Sequence, residues 1–324
     1  MDAPQPPAAT SRHAWLGVLG LVACATLWSL NGPLIKLLDR ADVPAITIAC
    51  YRSLLGGLVF LPFALSRRRT LRRVAPGWPI GSVLTFTLMT ASFVIATTRT
   101  AAANAIILQY TAPIWVFLVS PWLLRERLRA GDGLVLLLAM TGVAIIFLGH
   151  GTGDLPALSI GLTSGLGYGL VIVALRGLRS VDPAAVVGMN FVGSGLLLLP
   201  AVVVWGWLAP GGWPAADPSG GATAWRFFAL NGRQFALVLA LALVQMALPY
   251  LLFSWALRHV EAHRAALIVL LETVLNPTWT YLVVGEPVPR PTLIGGPLIL
   301  LSVIGWLLLT WRREAAAAPA CPPA

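Results

Sequence analysis

Ten stretches of about twenty mostly apolar residues follow one another along the chain, at 14–38, 44–65, 77–97, 102–124, 130–149, 155–175, 183–208, 234–257, 265–284 and 292–311. A helix rising 1.5 Å per residue needs about 20 apolar residues to cross a hydrocarbon core about 30 Å thick. A membrane β-barrel would instead show strands of about ten residues with alternating polar positions. Runs such as Leu134–Met140 and Gly195–Val204 are continuously apolar, which excludes the barrel. Composition agrees: 58% of the 324 residues are hydrophobic and 10% are charged, against roughly 25% charged in a soluble domain. The expected fold is an all-α membrane protein of ten transmembrane helices.

Charge sets the orientation. Net charge is +10, and the 22 basic residues are all Arg except Lys36. In a soluble protein that balance would suggest nucleic acid, but here the positives lie between apolar runs, so membrane lipid is the expected partner and nucleic acid is not. With both termini on one side, fifteen of the basic residues fall on that side, including the cluster Arg67, Arg68, Arg69, Arg72 and Arg73. Six fall opposite, and Arg52 lies within a span. The positive-inside rule then predicts a multi-pass protein of the cell (inner) membrane with both termini cytoplasmic. Residues 1–13 and 312–324 read as disordered cytoplasmic tails rich in Ala and Pro. Leu21-Val-Ala-Cys24 matches a lipoprotein cleavage pattern, but the apolar run continues through Leu30, too far for a signal core.

The chain also repeats itself. A shift of 160 residues places Ala102 on Ala262, Ala105 on Ala265 and Glu126 on Glu286. A shift of 140 places Trp28 on Tyr168, Lys36 on Arg176 and Asp42 on Asp182. The consistent order of these matches predicts a duplicated five-helix unit, over 14–149 and 155–311. Five is odd, so the second unit enters from the opposite face, giving inverted repeats that can open a central cavity to either side. Glu126 and Glu286 become equivalent helix-end acids at opposite surfaces.

Several segments resemble the EamA-type branch of the drug/metabolite transporter superfamily. They are Trp28-Ser-Leu-Asn-Gly-Pro-Leu-Ile-Lys36, Tyr110-Thr-Ala-Pro113-Ile-Trp with Glu126 thirteen residues on, and Leu270-Leu-Glu272-Thr273 with Gly285-Glu286-Pro287. The resemblance spans roughly 14–311 and implies a transporter of small metabolites. Where that family commonly has Leu-Glu-Pro, this chain has Leu-Glu272-Thr273, with its proline later, at Pro277.

Ionisable groups in hydrocarbon are costly and usually face a cavity or a partner. Glu272 and Arg52 both fall inside spans. Glu272 is open to three readings: a protonatable coupling site, a counter-charge for a substrate amine, or a charge pair with Arg52. Arg52 either reaches helix-end carbonyls or binds substrate. Lys36 and Arg176 are expected to reach out to headgroups. Pro33, Pro113 and Pro277 are expected helix breaks, because proline removes a helical hydrogen bond and frees a carbonyl. Trp28, Asn31, Tyr51, Gln109, Tyr110, Tyr168, Asn190, Gln245 and Trp279 are the expected cavity wall, with Trp115 and Tyr250 as further aromatics near it. Gly161, Gly165 and Gly169 share one helical face, as close helix contact requires.

These features point to a secondary transporter of small molecules working by alternating access, an exporter of amino acids or related amphipathic compounds, with proton coupling at Glu272 as one of the readings left open. No cofactor or metal is expected. Gly-x-x-x-x-Gly-Lys is absent, since Ile35 precedes the one Lys, so ATP hydrolysis by this chain is not expected. His259 and His263 lie four apart beside Glu261, without a third ligand in the sequence nearby. The rival reading is a membrane-embedded enzyme acting on lipid or lipid-linked substrates. A homodimer and a monomer are both open.

Overall fold

The computed structural model describes residues 11–71, 74–123, 130–208, 230–256, 258–260, 265 and 268–317. Among these every regular element is helical. The helices are α1 (Ser11–Ser29), α2 (Asn31–Asp39), α3 (Ala45–Ser66), α4 (Arg68–Leu71), α5 (Gly77–Arg99), α6 (Ala102–Gln109), α7 (Ala112–Leu123) and α8 (Ala130–Gly149). The second half holds α9 (Leu155–Gly177), α10 (Pro183–Leu208), α11 (Gly232–Leu239), α12 (Leu248–Ala256), α13 (Leu271–Val284) and α14 (Arg290–Ala317). Among the described residues seven helical runs are long and apolar enough to cross a membrane, α1–α2 and α11–α12 each counting as one, and Leu136–Gly149 is a shorter apolar helix.

Three interruptions shape the interior. The first span turns at Leu30, whose amide bonds the Leu27 carbonyl at 3.2 Å, and Pro33 follows in the first turn of α2. Without an N–H, Pro33 cannot continue the ladder, yet it suits a helix start. The fourth span turns at Tyr110 and Thr111, where the Thr111 hydroxyl bonds the Leu108 carbonyl at 2.6 Å, and Pro113 again lies in the first turn beyond. The ninth span turns at Leu270, whose carbonyl accepts the Thr273 amide at 3.0 Å and the Thr273 hydroxyl at 2.7 Å. Tyr110 and Leu270 are related by the 160-residue shift, so this turn recurs between the halves while the prolines do not. Pro277, expected as a break, lies inside the continuous helix α13. A threonine hydroxyl on the carbonyl at the turn does there what a proline was expected to do.

A fourth irregularity is a π-helical stretch, Ala240–Ala247, between α11 and α12. Pro249 follows it, and its ring crowds the carbonyl four residues back, at Gln245. The wider π turn relieves that clash. The last helix also outruns expectation, continuing to Ala317 rather than ending at 311. Its added turn, Glu314-Ala-Ala-Ala, consists of strong helix formers.

Packing pairs the two halves. α3 lies along α10 and α8 along α14, each pair joining corresponding helices of the two repeats. α5 packs on α9 and α12 on α1, an exchange-related set, and α6 meets α13 at the centre. Gly165, on α9, has no room for a side chain. A Cβ there would collide with Thr111 Oγ1 and with the Leu108 carbonyl, so α9 presses directly on the turn between α6 and α7. Gly161 and Gly169 meet the same two helices, through Leu108 and Trp115. The main core, with Ile48, Phe93, Ile106, Leu108, Ile146 and Leu158, surrounds that turn.

Candidate functional site: a central cavity with two separate charges

The interruptions converge on a cavity of about 100 Å³ lined by Trp28, Asn31, Arg52, Thr90, Gln109, Tyr110, Tyr168, Gln245, Tyr250 and Glu272, with Phe86, Met89, Phe93, Met246 and Val269. It shares Trp28, Phe86, Met89, Tyr110, Tyr168, Tyr250 and Val269 with a larger cavity of about 490 Å³. The larger one extends through Pro113, Val171, Asn190 and Trp306 to the connection Leu178–Pro183. Aromatic edges meet at the junction: Trp28 and Tyr250 have centroids 5.3 Å apart at 74°, and Tyr110 and Tyr168 6.5 Å apart at 85°. Such edge-to-face contacts orient rings without filling the space between them.

Arg52, on α3, is 4% exposed. Its Nη1 donates to Asn31 Oδ1 at 3.0 Å, and its Nη2 donates to Thr90 Oγ1 at 2.5 Å and to the Thr90 carbonyl at 3.4 Å. Its Nε is buried and has no acceptor among the described residues. Asn31 is available because α1 stops at the turn just before it. Glu272, in the first turn of α13, accepts the Tyr110 hydroxyl at 3.1 Å. Lys36 pairs with Glu286 and Arg67 with Asp182, whereas Arg52 and Glu272 share a cavity without pairing with each other.

The other expected residues fall variously. Trp28, Asn31, Gln109, Tyr110, Tyr168 and Gln245 line the small cavity. Asn190 and Pro113 line the larger one, and Asn190 Oδ1 accepts the Ser82 hydroxyl at 2.9 Å. Tyr51 lies outside both linings and packs against the main core. Trp279 and Trp115 also lie outside them, each with a buried indole N–H that has no partner among the described residues. On an apolar helix the period of the sequence does not say which face meets lipid and which meets the interior. Thr90 also lines the cavity and was not singled out from sequence; a lone threonine in an apolar span carries little signal until Arg52 is placed beside it. Glu126, His263 and Glu261 lie outside the described residues. No group of three metal-ligating side chains occurs among the described residues.

Away from the cavity, one end of the helix bundle is tied shut across the repeats. Lys36 Nζ lies 2.7 Å from Glu286 Oε2 and donates to the Thr100 carbonyl at 2.9 Å. Glu286 Oε1 accepts the Ala102 amide at 2.7 Å. It thereby caps α6, which begins after Ala101 and has no side-chain cap of its own. Arg40 Nη2 donates to the Val284 carbonyl at 2.6 Å, and Gln234 Nε2 to the Ala41 carbonyl at 2.8 Å. Asn104 extends the network, donating to Thr100 Oγ1 at 2.7 Å and accepting from Thr292. Lys36 was expected to reach for headgroups; it turns inward because Glu286 and a helix-end carbonyl offer charge-assisted bonds nearer by. A further cavity at this end, lined by Asp39, Asp42 and Arg99, shares no residue with the central one.

Broken helices, a polar-and-aromatic cavity at their junction and two halves packed on each other define a multi-pass membrane transporter of small molecules. The comparisons agree. The profile of the EamA-like transporter family matches residues 15–148 and again 155–308. The chain belongs to the EamA-like transporter family, with one family unit in each half. An uncharacterized transporter of Archaeoglobus fulgidus is 27% identical over 269 residues, covering 83% of this chain and 87% of that one. A protein of known crystal structure, 20% identical, superposes with a TM-score of 0.57 over 92% of this chain and 98% of its own, which is a likeness of fold.

Proposed function

We propose that the chain is a proton-coupled secondary transporter that exports amino acids or related amphipathic metabolites across the inner membrane by alternating access. In this reading ten helices form two inverted five-helix repeats over 14–149 and 155–311, with both termini cytoplasmic. The pairing of corresponding helices supports the duplication. Inversion is supported by the placement of repeat-related residues: Lys36 lies beside Glu286, whereas Asp182, the counterpart of Asp42, pairs with Arg67 beyond α3. With the termini inside, the larger cavity opens towards the cytoplasm and the Lys36–Glu286 network closes the outer end. Small-molecule cargo and surrounding membrane lipid are then the partners.

The single observation carrying the coupling is Glu272. It is a carboxyl group at 9% exposure, on a membrane cavity, and among the described residues no cation pairs with it. A carboxylate so placed is costly unless a proton or a cationic ligand neutralises it. Transport with proton exchange follows if the two compete for the same oxygen atoms. Membership of a transporter family favours this over the lipid-enzyme alternative.

The test is transport of labelled amino acids by the purified protein in vesicles under an imposed pH gradient. Glu272→Gln should abolish the dependence of rate on the gradient while the protein still inserts and folds. Wild-type rates across a pH series in that variant would remove the coupling role.

A further inference from the structure

Resting on the transport reading, we infer that Arg52 and Glu272 are the two poles of one substrate site, so that the cargo is a dipolar molecule whose carboxylate seats on Arg52 and whose ammonium seats at Glu272. The argument begins with an imbalance. Guanidinium stays charged at any physiological pH. Arg52 is buried, yet its three acceptors, Asn31 Oδ1, Thr90 Oγ1 and the Thr90 carbonyl, are all neutral. No carboxylate among the described residues pairs with it. A buried cation solvated only by neutral dipoles lacks a counter-ion, and the cavity it lines is where one can arrive.

The geometry suits a carboxylate. Asn31 and Thr90 hold the two Nη atoms and so fix the plane of the guanidinium, while the Nε–H is left without a partner. Thr90 engages Nη2 and Asn31 engages Nη1, so the Nε–H is the donor left for a carboxylate, in a charge-assisted bond. Asn31 and Thr90 thus act as positioning residues, holding the guanidinium without neutralising it.

At the other pole Glu272 receives one hydrogen bond, from a neutral phenol. Tyr110, Tyr168, Tyr250 and Trp28 stand on the same cavity. Aromatic faces attract an ammonium, and a carboxylate among them completes an amine site. A dipolar cargo neutralises both poles at once and adds no net charge to the membrane interior, where a singly charged ligand would leave one pole uncompensated. Its apolar part has the larger aromatic and aliphatic cavity to occupy. The same arrangement explains exchange with protons, since an ammonium leaving Glu272 is replaced by a proton on its oxygen.

Calorimetric titration of the purified full-length protein decides the matter with six simple probes. Leucine and 6-aminohexanoate are isomers that differ in the separation of their charges. Each is compared with its deaminated acid (4-methylpentanoate, hexanoate) and its decarboxylated amine (isoamylamine, pentylamine). At least one isomer should bind about tenfold or more tightly than both of its singly charged analogues, the loss expected when a charged hydrogen-bonding pole is left unmatched. Arg52→Gln should weaken that isomer to the level of its amine and leave the amine unchanged; Glu272→Gln should weaken it to the level of its acid and leave the acid unchanged. The inference is overturned if an acid or an amine binds as tightly as its parent, if none of the six binds, or if Arg52→Gln weakens amine and parent alike. The six-probe comparison on the unaltered protein stays decisive should a variant not fold. Proton-coupled movement of some other labelled metabolite in the vesicle assay would then leave the transport reading intact.

Discussion

The two ends of the helix bundle are closed by different chemistry. At the Lys36 end, charged and amide side chains from α2 and its C-terminal cap, α11 and the connection after α13 reach carbonyls, an amide and each other, most of them across the repeats. The Lys36 and Glu286 side chains there are 12% and 21% exposed. At the opposite end Arg67 pairs with Asp182 at 2.5 Å, but the Arg67 side chain is 57% exposed. Asp182 also caps α10, its Oδ1 accepting the Ala184 amide at 3.0 Å. One end is a half-buried latch between repeats; the other is a surface pair beside a helix start. The difference matters for the alternating access proposed above. A polar latch at a bundle end exchanges its bonds for water when it opens, so it can be firm and still reversible, whereas interdigitated apolar side chains would lose their burial outright.

The comparison breaks most directly at Glu286. Glu286→Gln removes the charge facing Lys36 and weakens the cap on α6, and charge-assisted bonds of this kind are worth about 1.5–3 kcal/mol. The opening equilibrium should shift by about tenfold or more, read as faster labelling of a cysteine introduced at Thr100 by a membrane-impermeant maleimide. Unchanged labelling would mean the latch does not hold that end shut.

Arg40→Gln should act in the same direction but less, since it removes one charged donor to the Val284 carbonyl while Lys36–Glu286 remains. A shift of about threefold to tenfold in the same labelling rate is expected, corresponding to about 1 kcal/mol. An effect equal to that of Glu286→Gln would show that the two contacts open as one unit.

Smallest of all is Arg67→Ala. An exposed pair contributes about 0–1 kcal/mol and is screened by salt. Labelling at both ends and thermal stability should stay close to wild type, with any difference vanishing as salt is raised. A large, salt-insensitive loss would mean that this end too is latched.

Much of the architecture was legible from hydrophobicity alone. The boundaries of α3, α5, α9 and α10 fall within two residues of the apolar runs that predicted them. Arg52 and Glu272 stood out because charge in hydrocarbon is rare, and both line the cavity. Pro33 and Pro113 pointed to real interruptions, since proline cannot extend a helix from behind. Pro277 did not, and the turn at Leu270 was visible only through its relation to Tyr110 in the repeat. Tyr51 and Trp279 were legible as aromatics in spans but not as residues outside the cavity. Both faces of such a helix are apolar, so the pattern that marks an inward face in a soluble protein is weak here.

By itself, the sequence determined a membrane-embedded helical chain with a duplicated unit and two intramembrane charges, because the bilayer demands long apolar helices and penalises any ion within them. Only the tertiary structure decided what those charges meet. Arg52 took Asn31 and Thr90, Glu272 took Tyr110, and Lys36 took Glu286, a partner 250 residues away. Contacts of that kind depend on where helix turns bring side chains together, and that is settled by packing between helices rather than by the order of residues along any one of them.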